Sequence, residues 1–294
     1  MRKISIIGAN SSLAKSFIKY LESKKDIDLH LYGTHTTCDW KNKNYKCIDL
    51  SEFASINQID YSCDQLYIFS GLTGSVKGMK NYSDFIDVNE KNLVSILEGA
   101  VRNKATCRIV YPSSRLVYKS TGEILSEHSE LECRSIYAVN KIAAEQYLKT
   151  YNNIYGIDYT IFRIAIPFGT ISTEKSQYGI VSILKKQAIE KGVITLYGKG
   201  DGYRTFTHIK DICNIFYSAV LLEETKNEIY NIGGHKYSLM ELASLIAHQY
   251  MAKIEMIEWP ELDKKVDVPD GWLDSTKLDS ILNFTYQDIK LDDL

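Results

Sequence analysis

The chain has 294 residues, of which 45% are hydrophobic and 24% charged, as in an ordinary globular protein. A formal charge of −2 gives no electrostatic reason to expect nucleic acid or an acidic membrane as a partner. No apolar run approaches the ~20 residues that span a bilayer. The six cysteines form no C-x-x-C pair, and none lies near a histidine at metal-ligand spacing. We therefore expect a cytoplasmic protein with free thiols and no metal site.

The first two-thirds of the chain alternate short apolar runs with amphipathic stretches, which predicts βαβ units around a parallel sheet. Helical patterns lie between the apolar runs, and the longest extends from Tyr137 to Tyr155. The predicted strands are Lys3–Ile7, Asp28–Tyr32, Tyr45–Ile48, Gln65–Phe69, Arg108–Tyr111 and Tyr159–Ile164.

The pattern changes after the sixth predicted strand, where Pro167 and Gly169 interrupt it. One helix, Gly179 to Lys191, is predicted in a segment that is otherwise rich in loops. The chain then returns to the first domain near residues 204–233 and ends in a helix, Leu239–Tyr250, and a polar tail. These features predict two interleaved domains, one formed by 1–165 and about 204–233, the other by 166–203 and 234–294.

A glycine turn connects the first predicted strand to the first predicted helix, as in dinucleotide-binding proteins. The turn reads Gly8-Ala9-Asn10-Ser11-Ser12-Leu13-Ala14. The Ser11 hydroxyl and the positive end of the helix are suited to a phosphate. Because Asn10, Ser11 and Ser12 are equally good N-cap residues, the turn alone is also compatible with a purely structural role.

Tyr137 and Lys141 are four residues apart on the long predicted helix, so their side chains share one face. Free tyrosine titrates near pH ~10 and is a poor base at neutral pH. A neighbouring ammonium group favours the phenolate and makes the pair suitable for acid–base catalysis. The same spacing also occurs on solvated helix faces, so the pair needs support from other motifs.

That support comes from the order of the motifs along the chain. In this order the chain resembles the extended short-chain dehydrogenases/reductases that act on nucleotide sugars. Tyr137-Ala138-Val139-Asn140-Lys141 is similar to the catalytic Tyr-x-x-x-Lys of that family, and Ser113-Ser114-Arg115-Leu116-Val117-Tyr118 to its Ser-Ser-x-x-Val-Tyr stretch. The resemblance covers Lys3 to about Leu282. It implies a doubly wound Rossmann domain with a smaller substrate-binding α/β domain.

The resemblance assigns catalysis to Ser114, Tyr137 and Lys141. Tyr137 exchanges a proton with the reacting oxygen, Ser114 orients that oxygen, and Lys141 lowers the tyrosine pKa and holds the nicotinamide ribose. The cofactor contacts implied by the resemblance come from Gly8, Asn10, Ser11, Ser12, Leu13, Asp49, Leu50, Ser70, Gly71, Asn89, Tyr137 and Lys141.

The chain departs from the family at the cofactor. Only Gly8 of the family's Gly-x-x-Gly-x-x-Gly is kept, with Ser11 and Ala14 at the other two places. Gly33-Thr34-His35 follow the second predicted strand and lack the acidic residue that NAD-preferring members carry there. The missing acid slightly favours NADP over NAD as the cofactor. Lys41 and Lys43 are candidate partners for its 2′-phosphate. Asp49 is also compatible with capping the next helix.

Arg204-Thr205-Phe206-Thr207-His208-Ile209-Lys210-Asp211 resembles the family's Arg-x-Phe-x-His-x-x-Asp segment, whose arginine grips the substrate diphosphate. Arg204 is the last arginine of the chain, so the family's second, C-terminal arginine is missing. Arg115 and Leu116 stand where the family's 4,6-dehydratases carry Asp-Glu, which disfavours a dehydratase. Arg115 either contacts an anionic part of the substrate or is a solvated loop arginine.

The resemblance therefore predicts an NAD(P)-dependent oxidoreductase acting on a nucleotide-diphosphate sugar, with 4-keto sugar reduction as the expected reaction. An NAD-dependent 4-epimerase is the alternative, and a non-catalytic nucleotide-binding protein on the same fold is a third possibility. A homodimer through helices near Asp84–Asn103 and Ser135–Tyr155 is also implied.

Overall fold

The computed structural model describes residues 1–36, 44–171, 179–268 and 270–287. The chain divides into two compact units whose segments are interleaved along the sequence. Unit 1 consists of Met1–Ser114, Ser135–Arg163 and Phe216–Tyr230, and unit 2 of Arg115–Arg134, Ile164–Ile215 and Asn231–Leu294.

The strands of the described residues are β1 Arg2–Ile7, β2 Ile27–Gly33, β3 Asn44–Cys47, β4 Gln65–Ile68, β5 Arg108–Ser114, β6 Ile124–Leu125, β7 Tyr159–Ile164, β8 Ile166–Phe168, β9 Val193–Tyr197, β10 Tyr203–His208, β11 Glu228–Asn231, β12 His235–Ser238, β13 Lys253–Ile257 and β14 Trp272–Leu273. The α-helices are α1 Ser12–Leu21, α2 Phe53–Ile56, α3 Ser75–Lys80, α4 Tyr82–Ile86, α5 Asn92–Arg102, α6 Ile136–Tyr155, α7 Gly179–Lys191, α8 Ile209–Ala219, α9 Leu239–Tyr250, α10 Glu261–Val266 and α11 Thr276–Leu282. A π-helical turn, Asp87–Lys91, joins α4 to α5, and short 3₁₀ turns cover Arg115–Val117 and Glu223–Thr225.

Seven strands form the main sheet in the order β11-β7-β5-β4-β1-β2-β3. The strand order reverses direction between β1 and β4, which is the switch point of a doubly wound sheet. Ile4 lies opposite Leu29 on one side and Gln65 on the other, both in parallel register. The expected Rossmann fold is confirmed, because each predicted strand joins this sheet.

Apolar helix faces cover the sheet of unit 1. The inward stripe of α1 is buried through Ala14, Phe17, Ile18 and Leu21. Phe17 packs tilted against Tyr67, with ring centroids 4.6 Å apart, and edge-on against Phe69. A second cluster places residues of α5 and α6 against β4, β5 and β7. This packing holds the carboxyl ends of β1, β4 and β5 at one edge of the sheet.

Unit 2 contains small sheets, and here the predicted boundaries are wrong. Strand β10 pairs with β8 and β12 and does not join the main sheet, so Ile164–Ile215 belongs to unit 2. The segment Arg115–Arg134 also belongs there, because its strand β6 pairs with β14. Both errors come from non-local pairing, which the local apolar pattern does not encode.

The segment after α9 is structured, although a polar tail was predicted. Strand β13 pairs in parallel with β9, placing Ile254 opposite Ile194, and α10, β14 and α11 follow. The side chains of β13 are largely exposed, so its sequence lacks the apolar signal of a buried strand.

Candidate active site

Gly8 is fixed by the end of β4. Its φ is +80°, and a Cβ atom on it would lie 2.3 Å from the backbone nitrogen of Ser70. The backbone N–H groups of Gly8 and Ala9 both donate to the Tyr32 carbonyl oxygen, at 2.9 and 3.0 Å. Only glycine fits at this position, and it brings the turn close to the segment that follows β4.

Two side chains of the turn have structural partners. Ser11 is the N-cap of α1, and its hydroxyl accepts a long hydrogen bond of 3.4 Å from Ala14 N–H. Asn10 Oδ1 accepts from the Tyr45 hydroxyl at 2.9 Å. Ser12 is exposed and Leu13 half-buried in the first turn of α1, which holds no acidic residue. The N-terminus of α1 is therefore electrostatically suited to a phosphate.

The end of β2 carries no carboxylate among the described residues of this edge, as the sequence indicated. Thr34 and His35 follow Gly33 and are exposed. The Tyr45 hydroxyl lies 2.7 Å from the His35 carbonyl oxygen. Lys41 and Lys43 lie outside the described residues.

Asp49 and Leu50 differ in their exposure to solvent. Asp49 is exposed, and hydrogen bonds from the Ser51 hydroxyl and N–H, at 2.7 and 2.9 Å, lower its pKa. It does not cap α2, whose N-cap residue is Glu52. Leu50 is buried in the core of unit 1.

Asn89, a predicted cofactor contact, lies inside the π-helical turn between α4 and α5. Its Oδ1 accepts from Leu72 N–H at 2.7 Å, and its Nδ2 donates to the Leu72 carbonyl oxygen at 3.0 Å. A Cβ atom on Gly71 would lie 3.1 Å from the same Oδ1. Asn89 thus clamps Leu72, directly after Ser70 and Gly71 at the carboxyl end of β4, and π-helical turns often occur at functional sites of proteins.

The turn also contacts α6. Asn89 Nδ2 lies 3.3 Å from Asn140 Oδ1, and Asn140 Nδ2 donates to Glu90 at 2.5 Å. Asn140 is fully buried, and in the sequence it stands between Tyr137 and Lys141. The polar clamp on the end of β4 and the helix that carries the predicted catalytic pair are therefore one hydrogen-bonded assembly.

Tyr137 and Lys141 lie in the first turns of α6, which begins after the N-cap Ser135. Both are more than nine-tenths buried, as is Ser114, the last residue of β5. The Lys141 ammonium group donates to the Pro112 carbonyl oxygen at 2.7 Å and lies 5.8 Å from the centre of the Tyr137 ring. Unit 1 therefore holds all three predicted catalytic residues in α6 and the end of β5.

Lys141 has an unusual protonation equilibrium. Burial lowers its pKa to about 7, although the negative charge of Glu145 acts in the opposite direction. The amine also lies 3.0 Å from the Tyr111 hydroxyl. A lysine that titrates near neutral pH can change its charge during a reaction, which is typical of catalytic groups.

Sequence reasoning missed a buried ion pair behind the catalytic residues. Arg163 on β7 donates to Glu145 on α6 through Nη2 at 2.7 Å and Nε at 3.0 Å. The Ser113 hydroxyl donates to the same carboxylate at 2.6 Å. Ser113 is therefore committed to Glu145. The only local signal for this network is the spacing of Glu145, one helical turn after Lys141.

Of the residues predicted to contact the substrate, Ser114 is in unit 1, and Arg115 and Arg204 are in unit 2. Arg204 on β10 forms an ion pair with Asp267, with Nη2 2.9 Å from Oδ2. Arg115 donates from Nη2 to the Val268 carbonyl oxygen at 3.0 Å. Arg115 is buried, so the alternative of a solvated loop arginine is wrong. The structure brings both arginines to the segment of Asp267 and Val268.

The residues at the edge of the unit 1 sheet fit a nicotinamide dinucleotide. Gly8 permits a close backbone approach, the N-terminus of α1 suits a phosphate, and Asn89 clamps Leu72 directly after Ser70 and Gly71. Within the part of the chain that the structure describes, no group of three metal-binding side chains occurs. None of the described helices combines the length and the apolar character needed to cross a membrane.

Comparison with known proteins agrees with this architecture. The chain is 29% identical over 198 residues to a putative UDP-glucose 4-epimerase of Methanocaldococcus jannaschii, an alignment that covers 66% of this chain and 63% of that relative, less than two-thirds of its length. It is 25% identical over 253 residues to UDP-glucuronate 4-epimerase of Thermodesulfobacterium geofontis, covering 83% of this chain and 75% of the relative.

The fold is also that of solved structures. UDP-glucose 4-epimerase of Thermus thermophilus, in complex with NAD, superposes with a TM-score of 0.85 at 16% identity, covering 99% of this chain and 96% of that one. The model of the NAD dependent epimerase/dehydratase family matches residues 4–233, well over half of the sequence. The chain therefore belongs to the NAD dependent epimerase/dehydratase family, the extended short-chain dehydrogenases.

Proposed function

We propose that this protein catalyses reversible hydride transfer at a carbinol carbon of a nucleotide-diphosphate sugar, with 4-epimerisation as the first reaction to test. The observation that carries the proposal is the buried Tyr137 and Lys141 pair on α6, with Ser114 at the end of β5. Two of the relatives described above are named as 4-epimerases of uridine nucleotide sugars, which favours that reaction over others of the family.

The chemistry follows from the character of the three side chains. When bound, NAD(P) supplies the centre that accepts and returns a hydride. Tyr137 takes the proton from the sugar hydroxyl as the carbonyl forms and gives it back to the oxygen afterwards. Ser114 donates a hydrogen bond that orients and polarises this oxygen. Lys141, while protonated, stabilises the phenolate form of Tyr137.

The family's dehydration reaction is disfavoured by the residues after Ser114. Members that remove water carry Asp-Glu there, whereas this chain has Arg115 and Leu116. Arg115 cannot act as a general base, because a guanidinium group stays protonated at physiological pH. The proposal is therefore limited to oxidation and reduction of the sugar without elimination.

A 4-keto sugar reductase is the second candidate, and the end of β2 is the observation that favours it. Gly33, Thr34 and His35 carry no carboxylate that would repel a 2′-phosphate. An NADP preference suits a reductase, because a reductase must exchange its spent cofactor after each turnover. An epimerase regenerates its cofactor within one turnover and has no such need.

Two measurements on the purified protein separate these candidates. The first identifies the nicotinamide nucleotide released on denaturation. The second follows UDP-glucose and UDP-glucuronic acid by NMR for the 4-epimer, and in parallel follows NADPH absorbance with a nucleotide 4-keto-6-deoxysugar. Tightly held NAD and a 4-epimer product support the epimerase. Consumption of NADPH without an epimer product replaces the epimerase with the reductase.

The catalytic assignment is tested by Tyr137→Phe, which removes only the hydroxyl. We expect turnover to fall by about 10²- to 10⁴-fold, the range of general acid–base catalysis, with cofactor binding retained. The matched control is Tyr151→Phe on the same helix, whose hydroxyl bonds Glu98. Similar turnover in the two variants would refute the assignment, and absence of any turnover in the wild type would favour a non-catalytic protein.

A further inference from the structure

The three arginines of unit 2 converge on one short segment, Asp267–Val268. Arg204 pairs with the Asp267 carboxylate at 2.9 Å, and Arg115 donates to the Val268 carbonyl oxygen at 3.0 Å. Arg134 donates to the Asp267 carbonyl oxygen at 3.3 Å, while its Nε is paired with Glu132 at 3.0 Å. We name Arg115, Arg204 and Asp267 the arginine cluster, and Arg134 lies at its more exposed rim.

The arginine cluster has an unused donor. Arg115 is 5% exposed, and its Nη1 has no hydrogen-bond partner among the described residues. Burial lowers the pKa of Arg115 to about 10, with a further lowering by the charge of Arg204. Arg115 therefore remains cationic at neutral pH. A buried guanidinium with a free nitrogen is unfavourable by itself, because its desolvation is only partly compensated.

The charges within the arginine cluster do not cancel. Two buried guanidinium groups, of Arg115 and Arg204, share the single carboxylate of Asp267. That carboxylate is about a quarter exposed, and its Oδ2 accepts from Nη2 of Arg204. The cluster consequently has a net positive charge and a hydrogen-bond donor without an acceptor. Both features are complementary to an anionic ligand.

We propose that Arg115 and Arg204 form a two-arginine site for an anionic group of the substrate. Two guanidinium forks match the paired oxygens of a phosphate or a carboxylate. Asp267 is the internal counter-ion that holds Arg204 until the ligand arrives. Because the chain has no arginine after Arg204, a second guanidinium in unit 2 can come only from Arg115 or Arg134. Arg115 has a buried nitrogen without a hydrogen-bond partner among the described residues.

This inference rests on the proposed function for the nature of the ligand, a nucleotide sugar. The anion that reaches Arg115 is either the diphosphate, which every such substrate has, or the carboxylate of a sugar acid. Both groups present two oxygens to a guanidinium fork, so the chemistry of recognition is the same. Probes that contain one or both groups distinguish the two sources.

The test is isothermal titration calorimetry of the protein saturated with its cofactor. The probes are UDP, UDP-glucose and UDP-glucuronic acid, and wild-type binding of CDP and dTDP is compared first so that the preferred base is carried forward. The variants are Arg115→Met, which removes the charge, and Arg115→Lys, which keeps the charge but loses the fork. Arg134→Met is the matched control, because it removes the same charge from the same segment.

We expect Arg115→Met to weaken binding by about 10- to 100-fold, as for loss of a charge-assisted hydrogen bond. Weaker binding of all three probes identifies the diphosphate as the partner. Weaker binding of UDP-glucuronic acid alone identifies the carboxylate. Arg134→Met should stay within about twofold of the wild type. Affinities of Arg115→Met within twofold for every probe overturn the inference.

The melting temperature of the ligand-free protein separates a binding role from a structural one. A binding residue with uncompensated charge should leave Arg115→Met at least as stable as the wild type. A lower melting temperature with unchanged affinities would mean that Arg115 only secures Val268, and would overturn the inference. If Arg115→Met does not fold, the test is made with Arg115→Lys. An affinity of Arg115→Lys equal to that of the wild type would exclude a role for the guanidinium fork and overturn the inference.

These outcomes can be told apart from a failure of the proposed function. A wild-type protein that binds no nucleoside diphosphate refutes the substrate class, and this inference with it. A wild-type protein that binds the probes while Arg115→Met binds them equally well refutes this inference alone. The calorimetric measurement requires no turnover, so it does not depend on which reaction is catalysed.

Discussion

The two units each bury an arginine against a carboxylate, and the two sites differ in how completely they are paired. In unit 1, Arg163 reaches Glu145 through two nitrogens, at 2.7 and 3.0 Å, and Ser113 adds a third hydrogen bond at 2.6 Å. In unit 2, Arg204 contacts Asp267 at 2.9 Å, and Nη1 of the neighbouring Arg115 has no hydrogen-bond partner in the part of the chain that the structure describes.

This difference indicates a structural role for the network in unit 1 and a ligand-binding role for the cluster in unit 2. A closed buried network has no capacity for a ligand, and the pair of Glu145 and Arg163 instead connects α6 to β5 and β7. It thereby fixes the helix that carries Tyr137 and Lys141. In the arginine cluster, the buried charge and donor are only partly compensated in the free protein. This is the expected state of groups that pair with a ligand.

Breaking the closed network should have the largest effect on stability. Glu145→Gln leaves Arg163 buried without a counter-charge, so we expect the free energy of unfolding to fall by about 3–5 kcal/mol. Urea unfolding followed by circular dichroism measures this loss. The control is Glu190→Gln, which removes a surface carboxylate 3.9 Å from Lys186 and should change little. Equal stability of the two variants would contradict a structural role for Glu145.

The adjacent serines provide the next comparison, because Ser113 bonds the Glu145 carboxylate of the closed network and Ser114 is the predicted catalytic hydroxyl. Ser114→Ala should lower kcat by about 10²-fold through loss of a donor to the reacting oxygen. Ser113→Ala should instead lower the free energy of unfolding by about 1–3 kcal/mol, since the Glu145 carboxylate loses a buried donor. The reverse pattern in assays of turnover and urea unfolding would exchange the two roles.

The fold was largely predictable because its signals are local. Alternating apolar runs located six of the seven described strands of the main sheet, all but β11, and β7, α7 and α9 have the predicted bounds. Strand β10 was assigned to the wrong domain because its partners are β8 and β12, which only the folded chain brings together. The small exposed strand β13 lacks the apolar pattern that sequence reasoning relies on.

The candidate site was predictable where a motif carries the chemistry, and not where a distant partner defines the environment. The resemblance of their motifs to the family assigned catalysis to Tyr137, Lys141 and Ser114, and the structure buries all three. The environment of Arg115 depends on Val268, which is 153 positions away in sequence, so burial could not be told from solvation. The partners of Glu145 lie on two different strands. Such contacts are set by tertiary packing, and no local pattern records them.

Per pH unit, the change of stability with pH is expected to be the smallest of these effects, and it tests the link between the closed network and Lys141. Burial lowers the pKa of Lys141 to about 7, against an unfolded value near ~10.4. Between these values the unfolded chain binds a proton that the folded chain does not. Stability must therefore rise with pH above about 7 and fall as the pH drops toward it, by roughly 1.4 kcal/mol per pH unit at most.

Lys141→Met removes this titration, so its stability should depend less on pH between 7 and 9 than that of the wild type. Lys186→Met on the surface of α7 is the control and should keep the wild-type slope. Because the Glu145 charge raises the pKa of Lys141, Glu145→Gln should lower that pKa and extend the rising limb to lower pH. Parallel pH profiles for wild type and Lys141→Met, measured by urea unfolding, would mean that Lys141 stays protonated throughout, and that its charge is compensated in the folded protein.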